Sequence, residues 1–147
     1  MRRGTEIGLF VGLTVLDQLV KQLTVHRTAL LIPGVIRLQY IENRGFALGL
    51  FDGAGTAALV ISLVVFIGVI VCLFRVPRAS ALRIPLIVIC AGALGNLIDR
   101  AFLGYVRDMF ELLFVRFYVF NLADAYVTLG ALACAVLLLR QDGKEQA

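Results

Sequence analysis

Two short stretches in the C-terminal half place aspartates beside hydrophobic segments. Residues 96–100 (Asn-Leu-Ile-Asp-Arg) end one apolar run, residues 121–124 (Asn-Leu-Ala-Asp) begin the next, and Asp108 lies between them. An ionisable side chain against lipid is costly, so it usually pairs with another group or serves a function. Asp108 and Asp124 flank a single connection, so the fold could bring their carboxyl groups face to face.

Two carboxyl groups a few ångströms apart in a partly dry site cannot both ionise easily, so they share a proton. The ionised group can act as a general base on water while the protonated group polarises a carbonyl. Such a pair can hydrolyse a peptide bond without a metal or a covalent intermediate. Alternatively, Asp108 is a solvated loop residue and Asp124 is an acid favoured by the dipole at a helix N-terminus. The residue types leave both interpretations open.

Other catalytic chemistries find little support in the sequence. The chain has one histidine, His26, and contains no HExxH, GxSxG or glycine-rich phosphate loop, so we predict no metal and no cofactor. A serine–lysine dyad would need Ser62, predicted near the middle of the bilayer, to reach Lys21, predicted near its outer surface. The predicted depths therefore exclude that dyad.

The composition is typical of a small integral membrane protein. The chain has 147 residues, of which 61% are hydrophobic, whereas a soluble domain is nearer half apolar. Its net charge of +4 does not indicate a nucleic-acid partner, because the basic residues lie at the ends of apolar segments. Cys72, Cys90 and Cys134 match no metal or redox spacing, and we expect them to be small buried apolar residues.

Hydropathy predicts one membrane domain of class all-α, a four-transmembrane-helix bundle with helices at about 7–23, 57–74, 84–102 and 121–139. The connection between the second and third helices carries Arg75, Arg78 and Arg83 and no acid, which predicts that it is cytoplasmic. Both termini are then cytoplasmic too. The polar residues of the apolar segments consequently converge near the outer face, which indicates a site there.

The first outer connection is too long for a simple turn. Residues 36–40 alternate as in a half-buried strand, residues 42–45 have turn chemistry, and residues 46–50 alternate again, so we predict a β-hairpin over about 34–51. In it, Asn43 either holds the turn or hydrogen-bonds an extended peptide. The polar tail, 141–147, is predicted to be disordered.

Spacing suggests roles for the remaining polar residues. Asp17 and Lys21 lie at i and i+4, so they can form an ion pair within the first helix. Asn96, Asp99 and Arg100 share one face of the third helix. Asp99 is expected to pair with a neighbouring cation. Arg100 either donates to a substrate carbonyl or holds the loop that bears Asp108.

Five motifs together resemble the bacterial lipoprotein signal peptidases (signal peptidase II), a family of membrane aspartic proteases. The resemblance covers nearly the whole chain and depends on the order and spacing of the motifs. They are Asp17-Gln18-Leu19-Val20-Lys21, Asn43-Arg44-Gly45, Gly95-Asn96-Leu97-Ile98-Asp99-Arg100, Val106-Arg107-Asp108-Met109-Phe110 and Phe120-Asn121-Leu122-Ala123-Asp124.

The resemblance implies that Asp108 and Asp124 are the catalytic dyad. It implies a reaction in the bacterial cytoplasmic (inner) membrane, in which the signal peptide is cut from prolipoproteins just before a diacylglyceryl-modified cysteine. It also implies an extracytoplasmic β-cradle, inhibition by globomycin and contact with membrane lipid, and we expect a monomer. By the same matching, the substrate-binding or supporting residues are Asp17, Lys21, Asn43, Asn96, Arg100, Asn121 and Ala123, and the structural ones are Gly95 and Asp99.

The chain departs from the family pattern at several positions that line the expected pocket. Phe46-Ala47-Leu48 follows the hairpin glycine where small residues and then phenylalanine are usual. Arg107 precedes Asp108 where an apolar or small residue is common, and Met109 follows it where an aromatic residue is common.

The alternative function is a small transporter or proton-conducting bundle that uses the same carboxylates. Transport sites tend to lie near the bilayer midplane, often in chains with internal repeats.

Overall fold

The computed structural model describes residues 2–45, 55–115 and 119–145. These form four helices and a three-stranded sheet, and each helix is long and apolar enough to cross a bilayer. The predicted fold class is therefore confirmed. In chain order the elements are α1 (Arg3–Thr24), β1 (Thr28–Ile32), β2 (Ile36–Asn43), α2 (Gly55–Arg75), α3 (Arg83–Leu103), β3 (Val106–Leu112) and α4 (Leu122–Glu145).

Helix α3 lies at the centre of the bundle and packs against the other three helices. Its buried face is rich in small residues, including Ala91, Gly92 and Gly95. A Cβ atom at Gly92 would collide with the backbone carbonyl oxygen of Ala123. Small residues thus allow α3 and α4 to approach closely, as they commonly do between membrane helices.

The sheet is antiparallel in the order β1-β2-β3. Asn43, at the end of β2, pairs with Val106, and Ile41 pairs with Asp108. The register shifts between Leu38 and Ile41. This pairing brings β3, and with it Asp108, beside the chain segment that carries Asn43.

Two sequence-based expectations differ from the structure, and a third is not tested by it. The strands bonded to β2 are β1 and β3, but residues 46–50, the second strand of the predicted hairpin, lie outside the described residues, so that hairpin stays a prediction. Helix α4 continues to Glu145, although the tail 141–147 was expected to be disordered. Its glutamine, lysine and glutamate residues have good helix propensity, so they can extend the helix that precedes them. Cys90 is buried as expected, but Cys72 is exposed on α2, where an apolar thiol can face lipid.

A buried ion pair between Arg83 and Glu6 holds the end of the bundle that is far from Asp108. The Arg83 guanidinium donates to both carboxylate oxygens of Glu6, at 2.7 Å each. It also donates to the backbone carbonyls of Leu73 and Val76, at 3.0 Å each. Arg83 therefore ties the start of α3 to α1 and to the end of α2.

Candidate active site

Asp108 is a buried carboxylate on β3 that accepts hydrogen bonds from two asparagine side chains. The residue is only 2% exposed. The Asn121 amide donates to Oδ1 at 2.6 Å and the Asn43 amide donates to Oδ2 at 2.9 Å. These donors come from β2 and from the start of α4, so the carboxylate is held where the sheet meets the helix bundle.

Asp124 lies in the first turn of α4 and is half-buried. Its Oδ1 accepts a hydrogen bond from the Asn96 side-chain amide at 2.7 Å. Its Oδ2 accepts the backbone N–H of Asn121 at 3.2 Å, while the Asn121 side-chain oxygen accepts the backbone N–H of Asp124 at 3.0 Å. This reciprocal pair caps the helix. Asp124 is thus an acid at a helix N-terminus, as one of the two interpretations expected. Its Oδ1, which the cap does not use, is bound by Asn96.

The orientation of the Asn96 and Asn121 side-chain amides follows from neighbouring groups that can donate a hydrogen bond but cannot accept one. Lys21 donates to the Asn96 oxygen at 3.0 Å, and an ammonium group has no acceptor. The Asn96 side-chain nitrogen must therefore face Asp124. The Asn121 side-chain oxygen accepts the N–H of Asp124, so its nitrogen faces Asp108 and the Asn96 oxygen, at 2.6 and 3.1 Å. A continuous chain of donors and acceptors links Lys21 to both aspartates.

Behind these amides lies a buried group of four charged side chains, Asp17, Lys21, Asp99 and Arg107, which we call the charge cluster. The Lys21 ammonium lies 2.9 Å from Asp17 and 3.5 Å from Asp99. Arg107 lies 2.7 Å from the other oxygen of Asp99. Two positive and two negative charges balance, which buried ions require if they are not to be strongly destabilising.

Small residues on α3 and α4 let these helices pack closely against Asp17 of α1. The backbone N–H of Ala123 donates to Asp17 Oδ1 at 2.9 Å, and Ala123 is fully buried. A Cβ atom at Gly95 would collide with the Asp17 carboxylate. Ala123 and Gly95 therefore support the site through their small size and, for Ala123, through its backbone donor.

Arg100 reaches toward the segment after β2. Its guanidinium donates to the Gly45 carbonyl at 3.3 Å. The Gly45 backbone N–H donates to the Asn43 side-chain oxygen at 3.1 Å. Of the two roles considered for Asn43, the structure shows the turn, which its oxygen holds. Its nitrogen donates to Asp108, and binding of an extended peptide stays a prediction. Of the two roles considered for Arg100, the geometry favours holding a loop, but the loop is the one after β2.

The two aspartates differ in their surroundings. Burial, and after it the negative charge of Asp124, raises the pKa of the Asp108 carboxyl to about 7. Two amide donors oppose this shift but do not overcome it. Near neutral pH the pair can therefore hold one proton and one negative charge, which is the state required for acid–base catalysis by two carboxyls.

The structure gathers most of the residues singled out in the sequence at one end of the bundle. Asn43, Asn96 and Asn121 contact the dyad directly, whereas Asp99 faces away from it toward Lys21 and Arg107. Sequence reasoning missed the network around Arg107, which includes Gln18 and Gln22. These glutamines lie one turn apart on the polar side of α1, and that spacing was the available signal.

Comparisons with known proteins point to one family. The family model described as Signal peptidase (SPase) II matches residues 9–140. The chain is 37% identical over 149 residues to the "Lipoprotein signal peptidase" of Streptococcus pneumoniae, covering 97% of each chain. It is 33% identical over 143 residues to the protein of the same name in Lactiplantibacillus plantarum, covering 94% of this chain and 96% of that one.

Solved structures with the same fold are also known. One described as "Bacterial membrane enzyme structure by the in meso method at 2.3 A resolution" superposes with a TM-score of 0.86 at 26% identity, covering 97% of this chain and 92% of that one. A second, described in the same words at 1.9 A resolution, gives a TM-score of 0.80 at 27% identity, covering 93% of this chain and 94% of that one.

Proposed function

The chain belongs to the signal peptidase II family, and we propose that it is an aspartic endopeptidase that cuts diacylglyceryl-modified prolipoproteins before the lipidated cysteine. Membership of this family makes it a membrane protease. The name of its relatives, lipoprotein signal peptidase, supports the substrate class. The observation that carries the aspartic mechanism is the pair formed by Asp108 and Asp124, held by three asparagine amides.

The mechanism assigns one protonation state to each aspartate. Asp124, the more exposed of the two, is the general base and takes a proton from water. Asp108, whose raised pKa favours the acid form, donates its proton to the scissile carbonyl oxygen. The resulting tetrahedral intermediate collapses when the amine of the cysteine leaves with the proton that Asp124 accepted. As the carbonyl re-forms, one hydroxyl group of the intermediate returns its proton to Asp108, which restores the starting state of both aspartates. No atom of the enzyme becomes covalently bound to the substrate.

The three asparagines hold the two carboxyls during these proton transfers. Asn43 and Asn121 donate to Asp108, and Asn96 donates to Asp124. Since these amides do not titrate, they orient the carboxyls without competing for the proton. A substrate anchored in the membrane by acyl chains and an apolar helix presents its cleavage bond at a fixed depth. That confinement supplies part of the orientation needed for reaction.

The direct test is cleavage of a synthetic precursor peptide by the purified protein in detergent or lipid. We expect a single cut before the cysteine when that cysteine carries diacylglycerol, and at least about 100-fold slower cleavage when it does not, because the unlipidated peptide loses the positioning supplied by its acyl chains. Mass spectrometry identifies the bond. Globomycin is expected to block the cut. Equal cleavage of both peptides, or none of either, would contradict the substrate assignment.

A transporter or proton-conducting bundle is not favoured for this chain. The dyad, its asparagines and the charge cluster all lie where α1 and α3 end and α4 begins, whereas transport sites tend to lie near the middle of the spans. The family and its named relatives are proteases. Transport would require the carboxylates to be reached from both sides, and the far end of the bundle is held by the Glu6–Arg83 ion pair.

The orientation we propose has both termini in the cytoplasm and the dyad near the outer face. Arg75 ends α2, Arg78 lies between α2 and α3, and Arg83 begins α3. This excess of basic residues favours the cytoplasmic side. A reporter active only in the cytoplasm should be active when inserted after Arg78. An insertion after Pro33, in the turn between β1 and β2, should be active only with a periplasmic or extracellular reporter. The reverse pattern would invert the topology.

The catalytic rate should fall as the pH rises above about 7. The pKa of Asp108 is raised to about 7, so the proton shared by the pair is retained below that pH and lost above it. With both carboxyls ionised, no acid remains to protonate the carbonyl oxygen. We expect kcat at saturating substrate to decline between pH 7 and 9, and a constant kcat over that range would contradict the proposed proton donor.

A further inference from the structure

Arg107 precedes Asp108 on β3 and points to the opposite face of the strand, toward α1 and α3. It is only 8% exposed. Its backbone N–H and its Nε both donate to Asp99 Oδ2, at 3.0 and 3.2 Å, and Nη2 donates to Asp99 Oδ1 at 2.7 Å. A side chain and a backbone amide of one residue therefore bind both oxygens of one carboxylate.

The same guanidinium also reaches α1. Nη2 donates to the Gln18 side-chain oxygen at 2.8 Å, and Nη1 donates to that of Gln22 at 3.1 Å. The Gln18 amide nitrogen donates in turn to Asp99 Oδ1 at 3.2 Å and to the Gly95 carbonyl at 3.0 Å. Arg107 thus connects β3 to two helices through buried or half-buried hydrogen bonds, and the 2.7 Å contact of its guanidinium with Asp99 is short and charge-assisted.

The charge balance near the dyad also depends on Arg107. With it, the charge cluster carries two positive and two negative groups. Without it, Lys21 would be the one positive group of the charge cluster beside the carboxylates of Asp17 and Asp99. Lys21 is one of the two donors, with Asn121, that orient the Asn96 amide toward Asp124, so a change at Arg107 would affect both sides of the dyad.

We propose that Arg107 is a positioning residue for the reaction, which fixes β3 so that Asp108 meets Asp124 at the productive distance. The inference rests on the proposed function, because it concerns the placement of the proposed acid. Arg107 itself does not touch the dyad through any contact that the described residues show. Its effect is transmitted through the β3 backbone, and a misplacement of about 1 Å can reduce a rate about 100-fold.

The test compares Arg107→Gln, Arg107→Lys and a matched control, Arg83→Gln. Arg83 is also 8% exposed and also binds a carboxylate, but it lies at the far end of the bundle. We expect both glutamine variants to melt at lower temperature. At a temperature where all remain folded, Arg107→Gln should lower kcat by about 10- to 100-fold with KM within about twofold, whereas Arg83→Gln should leave kcat unchanged.

The lysine variant separates positioning from general stability. Lysine keeps the charge but has a single ammonium group, so it cannot reproduce the forked contact with Asp99. We expect kcat between those of the wild type and Arg107→Gln. Wild-type kcat in Arg107→Gln, or an equal loss in Arg83→Gln, would overturn the inference. If Asp108→Asn is inactive and Arg107→Gln is fully active, the positioning role of Arg107 is overturned and the proposed mechanism stands. If Asp108→Asn is active, the proposed mechanism itself is overturned.

Discussion

Replacing either Asp108 or Asp124 by asparagine is expected to lower kcat by at least about 1000-fold, which lies within the range of about 10²- to 10⁴-fold that a general acid or base contributes. An amide cannot take a proton from water or deliver one to a carbonyl oxygen at neutral pH. Each change keeps the size and shape of the side chain, so its effect reports the lost proton transfer. The measurement is single-site cleavage of a lipidated precursor peptide, quantified by chromatography at saturating substrate.

The same variants should remain folded, and their stability provides a check on the electrostatics. The pKa of Asp108 is raised in the folded protein, so its ionisation destabilises the fold progressively as pH rises from about 4 to about 7. Asparagine cannot ionise, so Asp108→Asn should melt at the same or a higher temperature at pH 8. An inactive variant that has unfolded would not count as support.

A matched control lies on the same strand. Glu111 is also an acid on β3, but it is partly exposed and pairs with Arg37 at 2.6 Å. The Glu111→Gln variant should retain cleavage within about twofold of the wild type, since partly exposed ion pairs contribute little. Substantial activity in either Asp108→Asn or Asp124→Asn would contradict the dyad. Inactivity of Glu111→Gln would show that any charge lost from the strand has the same effect.

The helices and the candidate acids could be predicted because their signals are local. An apolar run of about twenty residues is recognisable by itself. A carboxylate beside such a run is easily identified, because ionisable side chains are rare next to lipid. The three asparagines were found as motif positions. Their joint role was not, because Asn43 and Asp108 meet only through the pairing of β2 with β3. Residues 36–40 showed strand alternation, but alternation does not name the partner strand, and β1 has no such pattern.

Arg107 shows a different limit of sequence reasoning. Taken by itself, an arginine before Asp108 is an unusual residue in a pocket lining. Its meaning depends on Asp99, which lies on α3 before the turn at Gly104, where a positive φ of 80° reverses the chain. That reversal brings β3 back across the end of α3, so the arginine meets the aspartate. The expectation that Asp99 would pair with a cation was sound, but spacing could not tell which cation.

The second large effect is expected at Lys21. The Lys21→Met variant keeps the apolar stem but removes an ammonium that is fully buried and bonded to Asp17, Asp99 and Asn96. Because a buried charge is then left without its partner, we expect a loss of about 3–5 kcal/mol in the free energy of unfolding. Thermal unfolding of the purified protein, and its yield from the membrane, provide the measurement. The folded remainder should also cleave slowly, since the Asn96 oxygen then keeps only the Asn121 amide, at 3.1 Å, of the two donors that hold it away from Asp124.

The double variant Asp17→Asn with Lys21→Met tests whether charge balance is the cause. It removes one positive and one negative charge together, and the asparagine oxygen can still accept the Ala123 backbone N–H. We expect it to recover more than half of the lost melting temperature but not the activity, since the Asn96 oxygen still lacks its Lys21 donor. As a surface control, Arg37→Met also removes one paired cation, and it should cost less than about 1 kcal/mol. If the double variant were no more stable than Lys21→Met alone, packing rather than charge would explain why Lys21 is buried beside the site.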